Sequence, residues 1–357
     1  MATLLTPKVL RRGLEVSLLI SLASFAGILL YKGNYREFLA SLGRIEPAWI
    51  LVGAAVASMD WVGGGLRHWV ISRQVWPQAT LKAMIVAGGM GAWAGYVTPV
   101  HAGASPMMVY AMRRYGIPIP VGLTTILMSF ITTVAFFAFT GPMALLLGGG
   151  RSLMEKGNLL GLSLFDLFVG SLTIFGGLGA LFLFLVLFPG VARDLTHRLA
   201  DRLGRRSLRV AERLQGLRAG VDQAHAALVT YNTPRGWLAL GTGVILTALA
   251  YAPRLLSGYV ALRVIGIEAH FVDVLLLQIL ITFLLYFAPT PGASGIGEIL
   301  SALVMQVYVP KGLVPLYTLF WRLFITYGTV AVGSLVFYSW VRKGLRSLEA
   351  TGGEAAA

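Results

Sequence analysis

The sequence predicts an all-α polytopic membrane protein, with about six transmembrane helices and two re-entrant helical hairpins in an inverted repeat. Three observations carry this prediction. The 357 residues are 57% hydrophobic and only 12% charged, with a mean hydropathy of +0.76, whereas soluble domains carry about a quarter of their residues as charged side chains. Several apolar runs reach the roughly 20 residues that a helix needs to cross a bilayer. Two short stretches interrupt such runs and echo each other: Thr98-Pro99-Val100-His101-Ala102-Gly103-Ala104-Ser105-Pro106 and Thr290-Pro291-Gly292-Ala293-Ser294-Gly295-Ile296-Gly297-Glu298. Both open on Thr-Pro and both contain Gly-Ala-Ser. Pro and Gly stop helices. A helix stopped inside a bilayer is tolerated only where protein or a water-filled cavity satisfies its exposed backbone. Paired breaks in corresponding places of two halves point to a transporter's substrate site.

The elements follow in order. The first span covers 13–31, behind Lys8, Arg11 and Arg12. More spans follow it, so it reads as an uncleaved span and not as a signal peptide. A short amphipathic connector, 32–47, leads to a second span at 48–71. Residues 81–97 form a half-span into the first break, and 107–115 a half-span out to Arg113 and Arg114. Spans follow at 121–147 and 164–188. A basic connector, 189–235, repeats Leu195, Leu199 and Leu203, then Val210, Leu214, Leu217 and Val221. This amphipathic spacing suits helices lying on the inner leaflet or packed on the bundle, with Gly204 as a break. A span at 237–262, a second broken pair at 271–287 and 298–309, and a last span at 313–340 complete the membrane region. Residues 348–357 are expected to be a disordered tail. Residues 1–347 then make one transmembrane domain, with repeats of about 13–147 and 164–342.

The net charge is +14, from 29 Lys and Arg against 15 Asp and Glu. It is spread among membrane-flanking loops, which fits the positive-inside rule and attraction to anionic lipid and argues against a nucleic-acid partner. The richest basic loop, 193–235, belongs in the cytoplasm. The basic N-terminus, Arg73, Lys82, Arg113, Arg114 and the C-terminus join it there only if the first broken pair enters and leaves on the cytoplasmic side. The same parity sends the second pair in from outside. The chain is thus expected to be multi-pass in the inner (cytoplasmic) membrane with both termini cytoplasmic. The connector carrying Lys32, Arg36 and Arg44 then falls outside, against the rule.

Charges within spans are costly and mark function by default. They are Asp60, Arg67, Arg254, Glu298 and Arg322; Asp166 sits near a span end, where it is wet. Asp60 and Arg67 lie about two helical turns apart on one face, with Gly63-Gly64-Gly65 between them. Arg254 holds the matching place in the second half, beside Pro253, which kinks the helix and frees the Leu249 carbonyl. Half-helix N-termini and guanidinium groups both favour phosphate. The candidate substrate-binding set is therefore Arg67, Arg254 and Arg322, with Thr98, Pro99, His101, Gly103 and Ser105 of the first break. From the second break it takes Thr290, Pro291, Gly292, Ser294, Gly295 and Gly297. Asp60 and Glu298 are candidates for ion coupling. Plainer roles stay open: snorkelling, a structural pair of Arg with Asp60 or Glu298, and helix capping by Glu298.

Other chemistry is thinly represented. Cys is absent, which removes disulfides and thiolate sites. No Walker loop predicts ATP binding, no Gly-x-Ser-x-Gly elbow appears, and His68, His197, His225 and His270 form no ligand cluster. No cofactor, metal or catalytic residue is expected.

The Pro291-Gly292 … Gly295-Ile296-Gly297-Glu298 run resembles the Pro-Gly-Gly-x-Gly-x-x-Glu signature of the lysylphosphatidylglycerol synthase transmembrane region, the flippase-like domain family, with Gly297-Glu298 shortening it slightly. The stretch from Pro99 to Arg113-Arg114-Tyr115-Gly116 is similar to that family's earlier Pro–Gly–basic segment, and Arg67 with Trp69 to its Arg-Trp. The resemblance covers roughly 13–342. It implies translocation of lipid between leaflets. In the best-known members a cytosolic aminoacyltransferase domain makes lysyl-phosphatidylglycerol and the membrane part flips it. The sequence carries no such domain, so lysyl transfer is not expected.

The expected function is a flippase for a phosphate-containing phospho- or glycolipid, moved through a midplane cavity between the hairpins. Its expected partners are anionic or phosphate-bearing membrane lipids, a separate lipid-synthesising enzyme and further copies of the chain. Two alternatives stay open. One is a membrane-embedded lipid-modifying enzyme, using Asp60, His101 or Glu298 as acid and base. The other is a secondary transporter of a small anionic solute.

Overall fold

A computed structural model of the chain describes residues 7–32, 35–144, 146, 158–159, 162–188, 190–191, 193–194, 197–198, 208–286 and 288–340. In lipid a single segment satisfies its own backbone only as a helix, and the described residues are helical almost throughout. The exception is a two-residue antiparallel ladder between Asn158–Leu159 and Leu162–Ser163. The first half contains α1 (Pro7–Lys32), α2 (Tyr35–Leu42), α3 (Pro47–Ser58), α4 (Val62–Ser72), α5 (Leu81–Tyr96), α6 (Ala104–Arg114) and α7 (Ile119–Ala144). The rest contains α8 (Leu164–Leu187), α9 (Leu208–Tyr231), α10 (Pro234–Val264), α11 (Phe271–Tyr286), α12 (Ile296–Met305) and α13 (314–340).

Five segments are long and apolar enough to cross a membrane: Leu10–Leu30, Pro47–Ser72, Ile119–Met143, Pro234–Val264 and Lys311–Trp340. They fall on five of the six expected spans. The sixth is α8, a 24-residue helix whose described apolar stretch is Leu172–Leu181. Ser163 caps it: the Asp166 N–H donates to Ser163 Oγ at 3.0 Å. Asp166 is thus an acidic first-turn residue, favoured by the helix dipole. Of the basic connector, Leu195, Leu199, Leu203 and Gly204 lie outside the described residues, as does the 348–357 tail. Val210, Leu214, Leu217 and Val221 fall within α9.

The second span is not one continuous helix. At Met59, Asp60 and Trp61 the amides donate three residues back, to Val56, Ala57 and Ser58. This tight turn joins α3 to α4 and puts Asp60 at the joint; short 3-10 segments within helices often mark functional hinges. The glycine run then lets α4 wedge between its neighbours. A Cβ on Gly63 would lie 2.7 Å from the Leu249 carbonyl carbon of α10, and one on Gly65 would lie 2.4 Å from Ile85 Cα of α5.

Both broken pairs fold back on themselves. α5 has 16 residues and α6 has 11, so at 1.5 Å per residue neither spans a hydrocarbon core of about 30 Å. The same holds for α11 with 16 residues and α12 with 10. The legs of each pair pack together, and the two breaks touch. A Cβ on Gly292 would come within 2.7 Å of the Tyr96 carbonyl oxygen.

Candidate functional site

The echo between the breaks extends to the backbone. Each is a 3-10 turn that opens on proline, Pro99–His101 and Pro291–Ala293. In each, the next two residues are left-handed: Val100 (φ 52°) and His101 (φ 54°), Gly292 (φ 57°) and Ala293 (φ 53°). A helix then starts behind a glycine, Gly103 or Gly295. In this register Thr98-Pro99 faces Thr290-Pro291 and Gly103 faces Gly295. The two Gly-Ala-Ser triplets therefore do not correspond, one lying across the helix start and the other before it.

Different groups hold the two turns. Thr98 Oγ1 donates to the Ala94 carbonyl at 2.6 Å and accepts the Gly103 N–H at 2.8 Å. At the second turn Arg322 is the brace. Its Nη1 donates to the Gly292 carbonyl at 3.0 Å, and its Nη2 donates to the Ala293 carbonyl and to Glu298 Oε2, each at 2.7 Å. Glu298 Oε2 also accepts the Gly295 N–H at 2.8 Å, and Oε1 accepts Ser21 Oγ of α1 at 2.7 Å. Gly297 leaves the guanidinium its path, since a Cβ there would sit 2.3 Å from Arg322 Nη2. Ser294 Oγ meets Ser17 Oγ at 2.7 Å. Thr290 Oγ1, by contrast with Thr98, is buried without a partner. The plainer reading of Glu298, capping plus a structural pair, is what this geometry displays.

A second polar cluster joins four elements. Asp60, at the α3–α4 turn, accepts Arg254 Nη1 of α10 on Oδ1 at 3.3 Å. Its Oδ2 accepts the Tyr96 hydroxyl, from the end of α5, at 3.0 Å and Thr329 Oγ1 of α13 at 2.9 Å. Arg254 Nη2 donates to Tyr96 Oη at 2.9 Å, and the guanidinium lies over the Tyr96 and Tyr251 rings. Arg67, which lines the same cavity as Asp60, turns elsewhere: Nη1 donates to Thr133 Oγ1 at 2.8 Å and Thr247 Oγ1 at 3.4 Å.

Two cavities meet at Arg254. One, of about 240 Å³, is walled by Asp60, Arg67, His68, Ser105, Ser129 and Thr133 among others. The other, of about 320 Å³, lies between the breaks, against Tyr96, His101, Thr282, Gly292, Arg322 and Thr326. They share Ala92, Ala104, Ser105 and Arg254. The structure thus brings Asp60, Arg67, His101, Ser105, Arg254, Gly292 and Arg322 to the walls of two adjoining cavities. Thr98, Pro99, Gly103, Thr290, Pro291, Ser294, Gly295, Gly297 and Glu298 stand behind it and shape the turns. Three guanidiniums against the carboxylates of Asp60 and Glu298 leave one positive charge in a poorly screened setting, which favours an anion. Among the described residues no group of three or more His, Asp or Glu is placed to hold a metal.

Sequence reasoning missed Tyr96, Ser129 and Thr329, and it saw His68 only as an unclustered histidine. A tyrosine or threonine in an apolar helix carries no signal of its own; only the convergence of helices gives it a role.

The fold and this site define a polytopic helical membrane protein with two facing helix breaks around an arginine-lined cavity. A family model of the lysylphosphatidylglycerol synthase TM region matches residues 14–333, and the chain belongs to that family. No curated protein and no solved structure matches it. Family membership gives the chain a membrane lipid-related function.

Proposed function

We propose that the chain is a lipid flippase. A phosphate-bearing head group enters the paired cavities while its acyl tails stay in the bilayer. The observation that carries this reading is the position of Arg254 where the two cavities meet, with Arg67 on one side and Arg322 on the other. Guanidinium groups in a water-poor cleft are strong phosphate ligands. Arg254 and Arg67 take the head group, and Arg322 keeps the second break in shape. Asp60, which ties Arg254 to both halves, is the group through which head-group binding reaches the hairpins. Transport is favoured over catalysis because Asp60 and Glu298 are both engaged in ion pairs. With the basic connector in the cytoplasm, the chain sits in the inner membrane with both termini inside.

Purified protein in liposomes, supplied with a tail-labelled anionic phospholipid, tests the proposal. Transbilayer movement should exceed that of protein-free vesicles. Arg254→Gln should slow it by at least about tenfold, as expected when a desolvated charge contact is removed. Movement at the protein-free rate for every anionic phospho- and glycolipid tried would refute the reading.

A further inference from the structure

The cavity against Arg67 has a composition that selects among phosphate-bearing lipids. Asp60 is the carboxylate in its wall. It is paired with Arg254 through Oδ1, and its Oδ2 accepts from Tyr96 and Thr329. The cavity between the breaks has no carboxylate in its wall. Behind it, both Glu298 oxygens are held by Ser21, Gly295 and Arg322. A cationic head group would therefore meet two or three guanidiniums, while the carboxylates of Asp60 and Glu298 are each already charge-paired with one of them. Like charges brought together in a desolvated site oppose binding strongly.

Two polar groups in the same wall await a partner. Ser129 Oγ and His68 Nδ1 are buried and have no hydrogen-bond partner, although both residues line the cavity. Ser129 is 5% exposed and His68 7%. The neighbouring Thr133 hydroxyl is used twice, donating to the Ser129 carbonyl at 3.0 Å and accepting from Arg67. His68 Nε2 lies 3.5 Å from Arg67 Nη2. In either tautomer Nδ1 lacks a partner, and a hydroxyl can donate to it or accept from it. Gly88, also in the wall, packs against the ring, and a Cβ there would stand 3.0 Å from Nδ1, too close for a side chain. A buried ring nitrogen and a buried hydroxyl left unsatisfied are costly, and a ligand with hydroxyl groups relieves both once a small shift of the wall brings them to the cavity surface.

We propose that this site takes lipids whose head group is anionic and hydroxylated, a phosphodiester bearing glycerol or sugar hydroxyls, and rejects head groups made cationic by aminoacylation. The proposal rests on the flippase reading. It separates this chain from the lysylated lipid in the family's name.

The test uses the full chain in liposomes with three tail-labelled lipids: phosphatidylglycerol, its lysyl ester and phosphatidic acid. Phosphatidylglycerol should move fastest. The lysyl ester should be slower by at least about tenfold, the factor that 1.4 kcal/mol of discrimination gives. Arg67→Gln should raise the ratio of the lysyl-ester rate to the phosphatidylglycerol rate. Ser129→Ala should lower the phosphatidylglycerol rate relative to phosphatidic acid by about two- to tenfold, the worth of one hydrogen bond. Both readouts are ratios, so a smaller folded fraction leaves them unchanged. A lysyl ester moving as fast as phosphatidylglycerol would overturn the inference and leave the flippase reading standing. Phosphatidic acid outrunning phosphatidylglycerol would overturn the hydroxyl preference. If none of the three moves, the flippase reading falls and this inference falls with it.

Discussion

At the first break a single threonine hydroxyl, Thr98, bridges the end of one half-helix to the start of the next. At the second break a buried ion pair ties the turn to the start of the next half-helix, its guanidinium taking two backbone carbonyls of the turn. The first break puts two residues with side chains, Val100 and His101, into left-handed backbone; the second uses Gly292 for one of them. The first carries strain and light bracing, the second little strain and heavy bracing. On the flippase proposal, in which the cavity opens to each leaflet in turn, this difference assigns the parts: the second break is the fixed wall and the first is the one that yields. It also accounts for Glu298 having no counterpart at the first break and His101 none at the second. The acid belongs to the brace, and the histidine faces the cavity with its ring edge-on to Tyr96.

The harshest challenge to this contrast is removal of the brace. Arg322→Ala strands Glu298 and leaves the Gly292 and Ala293 carbonyls without their donor. Breaking a buried pair from one side costs about 3–5 kcal/mol, so the variant should unfold in detergent at markedly lower temperature. Arg322→Lys should not restore it, since one ammonium cannot reproduce the planar fork. Thr98→Ala removes the corresponding support at the first break and should cost about 1 kcal/mol, the usual worth of a capping hydroxyl. Equal losses for Arg322→Ala and Thr98→Ala in thermal unfolding would erase the distinction between a fixed and a yielding break.

Much of the fold was legible in the sequence because lipid imposes it. A long apolar run has no alternative to a helix, and Thr98-Pro99 and Thr290-Pro291 interrupt such runs visibly. Five expected spans coincide with helices long and apolar enough to cross a membrane, and α8 occupies the place of the sixth. The turn at Asp60 was not legible. Its residues are compatible with an unbroken helix, and the interruption goes with close packing against Leu249 and Ile85, partners remote in sequence. The site was partly legible. Rare charges in apolar helices announce themselves, so Asp60, Arg67, Arg254, Glu298 and Arg322 stood out. Their pairing did not. Asp60 and Arg67 line one cavity, yet Asp60 pairs with Arg254 from another helix, because pairing depends on which helices cross. The Gly-Ala-Ser echo misled as to register, since a triplet match ignores where each helix begins.

The smallest effect sharpens the contrast most. Val100 is 58% exposed, so its replacement disturbs little packing, and its backbone is left-handed. A β-branched residue there is strained by about 1–2 kcal/mol. Glycine removes that strain but gives the unfolded chain more freedom, which returns roughly 0.4–1 kcal/mol. Val100→Gly should therefore stabilise the protein by about 0.5–1 kcal/mol in thermal unfolding, with the sign opposite to nearly every other substitution near the cavity. The reverse exchange, Gly292→Val, meets both left-handed strain and the Tyr96 carbonyl and should destabilise. If the strain at the first break is there to let it switch, Val100→Gly should also slow lipid movement while raising stability. A variant that is more stable and flips lipid at the wild-type rate would leave the strain without a role in transport.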